Sequence, residues 1–290
     1  MLKINIKRFF LVVLAAVGYV LLLPCWRKLR KNSLLVLRYH SVSESRSHEV
    51  NVKPKIFGKQ INYLAKNFNV ISLTEFITLL TNEKKIPPKT VLITFDDGYK
   101  DNFTNAYSIL QKLGASATIF LSVAYIGTGK ILPHDRKDEF VPNRILDWQE
   151  VKEMHSHEIT FGSHSLNHAN LGQISLEEMN KEIAESKRVI EENLGNRVVA
   201  VSYPYGLYSD FNAQTVEQVK KAGYVCGFTA MYGLNTLKSD LFRLRRIGIE
   251  ASDNMFTFKA KLNGALDLLI LKETRFVQRI VECANRILGV

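Results

Sequence analysis

Thr90-Val91-Leu92-Ile93-Thr94-Phe95-Asp96-Asp97-Gly98 is the stretch whose reading decides the fold. Its first six residues are rich in β-branched side chains, as a strand requires, and Asp-Asp-Gly then marks a turn at the strand's C-terminal end. Further short apolar runs at 34–39, 117–123, 159–162, 198–203, 225–229 and 242–249 read as strands. Between them lie stretches with helical spacing at 57–68, 74–80, 102–113, 148–154, 176–194 and 211–222. Ile61, Leu64, Ala65 and Phe68 share one face of the first. Thr74 is a candidate N-cap for the second, and Gly114, Gly195 and Gly223 stand where helices stop.

Strand followed by helix, six or seven times over, implies parallel strands joined by right-handed crossovers. The chain is therefore of the α/β class. Nearly every polar cluster follows the C-terminal end of a strand, where barrels of this kind place their chemistry. Residues 127–144 are polar and irregular and read as a loop over a site. With 290 residues the chain can bury one large core.

The net charge is +11. Lys3, Lys7, Arg8, Arg27, Lys28, Arg30 and Lys31 fall before residue 32 with no acidic residue among them, which leaves 32 basic against 28 acidic residues in the remainder. A positive excess confined to one end, with no basic groove elsewhere, argues against a nucleic-acid partner and favours anionic lipid headgroups. Residues 9–26 carry no charge. As a helix they would span about 27 Å, near the thickness of a bilayer core. They predict a single membrane anchor, at a bacterial inner membrane, with the side of the following domain open because basic residues bracket the segment on both ends. A cleaved signal peptide, a lipoprotein signal or a helix lying in the interface are the alternatives. The expected organisation is an anchor with basic flanks over 1–31, a main domain over 32–254 and a helical extension over 255–290. In that extension Leu262, Leu266, Leu269, Phe276, Ile280 and Ile287 share an apolar side, to pack on the domain or rest on the membrane. Cys25, Cys226 and Cys283 show no paired spacing, and Cys226 reads as a buried small apolar residue.

Three clusters carry the chemistry: Thr94-Phe95-Asp96-Asp97-Gly98, His164-Ser165-Leu166-Asn167-His168, and Ser202-Tyr203-Pro204-Tyr205-Gly206. Histidines four apart on one helical turn would point the same way and share one ion. With Asp97 they make the two-imidazole, one-carboxylate set common in catalytic zinc sites. Adjacent aspartates in an apolar pocket would repel, and a cation relieves that. One then binds the ion while the other takes a proton from its water.

These residues resemble the polysaccharide deacetylase family, whose members carry the NodB-homology domain (carbohydrate esterase family 4). TFDDG stands at 94–98, the H-S/T-x-x-H motif at 164–168, and a variant of Arg-x-Pro-Tyr-Gly at 202–206. Leu37-Arg38-Tyr39-His40 and Leu146-Asp147-Trp148 are similar to the branch that includes exopolysaccharide N-deacetylases. The resemblance covers about residues 34–250. It implies a distorted (β/α) barrel of about seven parallel strands, here preceded by one N-terminal hydrophobic helix. It implies Asp96 as general base, Asp97, His164 and His168 as metal ligands for Zn2+ or another divalent transition metal, and the Tyr205 backbone N–H as oxyanion donor. It further implies an acetylated polysaccharide as substrate. A lipid-linked amino sugar deacylated or deformylated at the membrane, and a non-catalytic sugar-binding protein that kept the metal site, are the alternatives.

Two departures stand out. The family's arginine in the third motif is Ser202, and no histidine follows His168 to serve as the late general acid. Arg246, on the last strand, is the expected substitute beside Asp96, with Arg245 facing the other way. His40, ending the first strand, is the expected acid. No direct role is expected of His48, His134, His155 or His157.

Overall fold

The computed structural model describes residues 2–21, 30–45, 48–82, 85–137 and 144–267. Ten strands occur among them: β1 (Leu34–Tyr39), β2 (Ser41–Val42), β3 (Asn51–Val52), β4 (Asn69–Val70), β5 (Thr90–Phe95), β6 (Ala117–Leu121), β7 (Ile159–Ser163), β8 (Ala200–Ser202), β9 (Cys226–Phe228) and β10 (Ile247–Gly248). Seven run parallel in the order β10-β1-β5-β6-β7-β8-β9, with β4 added beside β5 and β2–β3 a separate pair. The sheet curls into an incomplete barrel. Its two edges meet through residues 242–246: Leu244 bridges Phe228 of β9, and Ile247 then pairs Leu37 of β1. The single strand expected over 242–249 is therefore broken, because one segment must bend to reach both edges.

Alternation along the strands divides two cores. Leu34, Val36, Leu92, Phe120, Ala200, Cys226, Phe228 and Leu244 cluster together. Their odd or even neighbours Leu35, Leu37, Tyr39, Val91, Ile93 and Phe95 pack in the other cluster, against the helices. Both faces of a parallel sheet are thus covered. Gly162 of β7 belongs to the crowded first cluster, where an added Cβ would sit 2.6 Å from the Phe120 ring. Only glycine lets that ring fill the space.

The helices start where side chains can satisfy their first amides. Ser72 with Glu75, Asp147 with Glu150, and Ser175 with Glu178 form reciprocal capping boxes. The helix expected from 74 accordingly begins at Leu73, capped by Ser72 and not by Thr74. The one expected over 102–113 is split into a wide turn, Asn102–Tyr107, and an α-helix, Ser108–Lys112. The longest of the crossover helices, Leu176–Leu194, stops at Gly195 in the left-handed region with φ 69°.

The N-terminal expectation is overturned. Helix α1 (Leu2–Leu21) takes the basic residues into its first two turns, and no helix among the described residues is long and apolar enough to cross a membrane. The helix lies against the domain instead. Leu11 and Ala15 pack on Ala260, Ala265 and Leu266 beside the helix Met255–Asn263. The Arg8 guanidinium donates to the carbonyls of Ala251 and Ser252, at 2.9 and 3.1 Å. A single-helix membrane anchor is not supported, and neither is a lipid partner inferred from it. Trp26, Cys25, Cys283 and the apolar tail positions Leu269, Phe276, Ile280 and Ile287 lie outside the described residues.

Candidate active site

The C-terminal ends of β1, β5, β7 and β8 and the segment leading into β10 converge, and with them every site residue expected from the sequence. Asp96 follows β5, its N–H donating to Tyr39 O at 3.0 Å. Arg246 enters from the segment before β10. Its guanidinium grips Asp96 with two parallel bonds, Nη1 to Oδ1 and Nη2 to Oδ2, both 2.7 Å. Nη2 also donates to Ser202 Oγ at 2.8 Å and Nε to Thr229 O at 2.7 Å. The small hydroxyl at 202 thus leaves room for, and binds, an arginine delivered from another strand. Arg245 turns away, to Tyr232 O and Tyr208. Burial alone would raise the Asp96 carboxyl, but Arg246, ahead of His164, outweighs it and holds the group well below the usual carboxylate range.

Asp97 sits beside it with φ 76°, and its side chain faces the histidine motif. Asp97 Oδ1 lies 3.5 Å from His164 Nε2 and 3.4 Å from His168 Nε2. These three buried residues form the one candidate metal-ligand group found among the described residues. They do so without the helical turn expected of the H-x-x-x-H spacing. His164 follows β7 directly, and Ser165 and His168 are both left-handed, at φ 62° and 56°. Asn167 ties the loop down through Glu182, which accepts from its N–H at 2.8 Å and its Nδ2 at 2.7 Å. Asp97, Ser165, His168 and Tyr205 account for four of the six non-glycine residues with positive φ among the described residues. Strain of that kind gathers where surrounding structure holds a site in shape.

The decisive feature is the state of these donors. His164 Nδ1 lies 2.8 Å from Ser202 O, and a carbonyl only accepts, so Nδ1 carries the hydrogen. Burial lowers the pKa of His164 to about 4, so the ring is neutral at pH 7 and Nε2 presents a bare lone pair. That lone pair points at Asp97 Oδ1, a buried carboxylate oxygen without a hydrogen-bond partner. Two acceptors facing each other in a dry pocket are unfavourable unless a cation lies between them. A tetrahedral divalent ion with bonds of about 2.1 Å sets neighbouring donor atoms about 3.4 Å apart, which the observed separations match.

The profile of the family described as polysaccharide deacetylase matches residues 83–227. A Bacillus subtilis (strain 168) relative, YxkH, named as a polysaccharide deacetylase, is 32% identical over 241 residues, covering 82% of this chain and 80% of its own length. The chain belongs to the polysaccharide deacetylase family. A poly-β-1,6-N-acetyl-D-glucosamine N-deacetylase of Staphylococcus epidermidis is 30% identical over 243 residues, 76% of this chain and 80% of that one. Among solved structures, the Streptococcus pyogenes deacetylase PplD in complex with acetate superposes with TM-score 0.67 at 25% identity, over 78% of this chain and 97% of the other. The fold is shared as well with IcaB from Ammonifex degensii, at TM-score 0.69 and 22% identity over 81% of this chain and 97% of that one.

The remaining residues of this deacetylase fold take up positions around the centre. Tyr205, φ 61°, turns its ring onto His168 with centroids 4.9 Å apart, and its backbone N–H makes no hydrogen bond among the described residues. Gly206 next to it has φ 68°, and a Cβ there would meet Ala230 N at 2.6 Å, so the turn needs glycine. His40 follows β1 with its carbonyl held by Asn102 Nδ2 at 2.7 Å and its Nδ1 buried without a partner. Burial lowers its pKa to about 3 against the pull of the Asp97 and Asp96 carboxylates.

One neighbour was missed. His134 Nε2 lies 3.7 Å from Asp97 Oδ2, and its ring lies 4.9 Å from that of His168. The available signal was its place in the polar 127–144 stretch, next to Asp135. Its partners there are distant in sequence and nothing in the local pattern names them. His155 bonds Asn196 and His157 packs on Tyr107, both away from the centre, while His48 holds the Val50 N–H.

Proposed function

We propose that this chain hydrolyses the N-acetyl group of acetylated amino sugars in a cell-surface or exopolysaccharide, in a metal-dependent reaction carried out within residues 32–254. The observation that carries the reading is the His164 lone pair turned on the partnerless oxygen of Asp97, in a donor set of two imidazoles and one carboxylate that suits Zn2+. The substrate class follows from the curated relatives, which are named for polysaccharide and for poly-β-1,6-N-acetyl-D-glucosamine.

Asp97, His164 and His168 would hold the ion. When bound, it polarises the acetamide carbonyl and makes a nearby water acidic enough to attack at neutral pH. Asp96 takes the proton of that water. Its carboxylate keeps lone pairs free for this, since Arg246 uses only one on each oxygen. Arg246 keeps Asp96 ionised and aimed. The Tyr205 N–H meets the charge that grows on the carbonyl oxygen. His40 rests as a neutral imidazole, and its low pKa makes it a ready donor to the sugar nitrogen once it has received the proton during the cycle. Acetate leaves and a free amine remains.

Purified protein loaded with Zn2+ is expected to release acetate from β-1,6-linked N-acetylglucosamine oligomers. Asp96→Asn should lower that rate by about 1000-fold or more while metal content stays at the wild-type level. Acetate release that persists in Asp96→Asn, or in chelator-treated protein, sinks this reading.

A further inference from the structure

His134 has no part in the reaction just described, yet it stands against the second oxygen of a proposed ligand. Asp97 Oδ1 faces His164 and His168, while Oδ2 faces His134 Nε2 at 3.7 Å. The imidazole is held from behind. Tyr99 Oη lies 3.0 Å from His134 Nε2 and donates to Asp135 Oδ2 at 2.9 Å. The phenol hydrogen goes to Asp135, so the phenol oxygen receives the hydrogen of His134 Nε2. That commits the one Nε2 hydrogen to Tyr99, so the ring stands beside Asp97 Oδ2 at 3.7 Å by its bulk. Tyr99 and Asp135 are both buried, at 0% and 2% exposure, and Tyr99 lies two residues after Asp97 itself. The short turn Pro133–Lys137 that carries His134 is thus anchored to the metal-binding turn by groups with little freedom to move.

We propose that His134 is a positioning residue of the metal centre: pinned by Tyr99 and Asp135, it occupies the Oδ2 side of Asp97 and restricts that carboxylate to binding a divalent cation through Oδ1 alone. A carboxylate with both oxygens open chelates, which fills a coordination position and withdraws it from water or substrate. A ring held against one oxygen occupies the side from which an ion would have to chelate, and outer groups of this kind set both ligand geometry and affinity. The inference rests on the metal reading above.

The test uses the full chain and Co2+ as probe, whose visible absorption weakens as coordination number rises. Removing the edge with His134→Ala should weaken Co2+ binding about 10- to 100-fold and lower the intensity of the visible bands. His134→Gln, whose amide nitrogen reaches the same position, should restore most of both. Tyr99→Phe should shift both in the direction of His134→Ala by a smaller amount, and the double variant should be no worse than His134→Ala. Thermal melts of the metal-free variants check that each is folded. Wild-type affinity and spectrum in folded His134→Ala and Tyr99→Phe would overturn this inference and leave the proposed function standing. A wild-type chain that takes up no Co2+ overturns both.

Discussion

The body of the sheet and the C-terminal ends of its strands obey opposite rules. Within the strands, Leu34, Val36, Leu92, Phe120 and Phe228 pack hydrocarbon on hydrocarbon on one face of the sheet. At the C-terminal ends of β5, β7 and β8 stand Thr94, Asp96, His164 and Ser202, joined by Arg246 from the segment before β10, as deeply buried and almost wholly polar. The lower layer is held by contact and apolar burial, which tolerate approximate shapes. The upper layer is held by specific polar pairs such as Arg246 with Asp96 and His164 with Ser202, and where a carboxylate oxygen faces the histidines without a hydrogen-bond partner, at Asp97 Oδ1, a ligand is implied. The apolar floor also makes the upper layer effective, since charges above a dry base are poorly screened and act strongly on one another.

The largest effect that would break this contrast comes from Arg246. Arg246→Leu leaves the Asp96 carboxylate buried without its cation, and should cost about 3–5 kcal/mol of stability together with nearly all turnover. Adding Asp96→Asn should recover most of that stability and none of the turnover, as read by urea unfolding and acetate release. A double variant as unstable as the single one would show that the arginine acts by packing. In the lower layer, Phe120→Ala should cost about 3–5 kcal/mol in the same unfolding experiment, with metal stoichiometry retained. Loss of metal there would mean that the two layers are not separable.

The smallest and most discriminating effect is in acid. His164 and His40 have folded-state pKa values lowered from 6.5 to about 4 and about 3, mainly by burial. The unfolded chain therefore takes up protons before the folded one as pH falls below about 6.5, and stability declines over the range down to about 4. Asp96 adds to this lower down, its stabilisation being complete above the usual 3.8 and lost as pH falls through its depressed value. Melting temperature of the metal-free protein should drop steadily from pH 7 to pH 4, and His164→Gln should flatten part of that slope. The deficit of Phe120→Ala should be the same at each pH. A pH-independent wild-type melting temperature would contradict the burial of these rings.

Much of the site was legible because its parts are local. Asp96 and Asp97 follow β5 in an unbroken strand-and-turn pattern, and His164 and His168 fall after β7 in the same way. The two histidines do lie together beside Asp97, but not through the helical turn their spacing suggested: left-handed residues after a strand bring them there instead. The N-terminal segment misled for a related reason. Eighteen uncharged residues carry the same local pattern whether their partner is lipid or protein, and Leu11 and Ala15 meet Ala260, Ala265 and Leu266 some 250 positions away.

The sequence by itself determined the alternation of strand and helix, the parallel sheet that alternation demands, and the donor types at the ends of its strands. Turn chemistry, capping and side-chain periodicity act over a few residues, so they can be read in order along the chain. Arg246 was expected beside Asp96 from the sequence, and its paired bonds there follow that expectation; only the tertiary structure decided that His134 stands against Asp97 and that α1 lies on the domain. Each depends on which distant segments the closing of the barrel brings within a few ångströms, and no local pattern carries that distance.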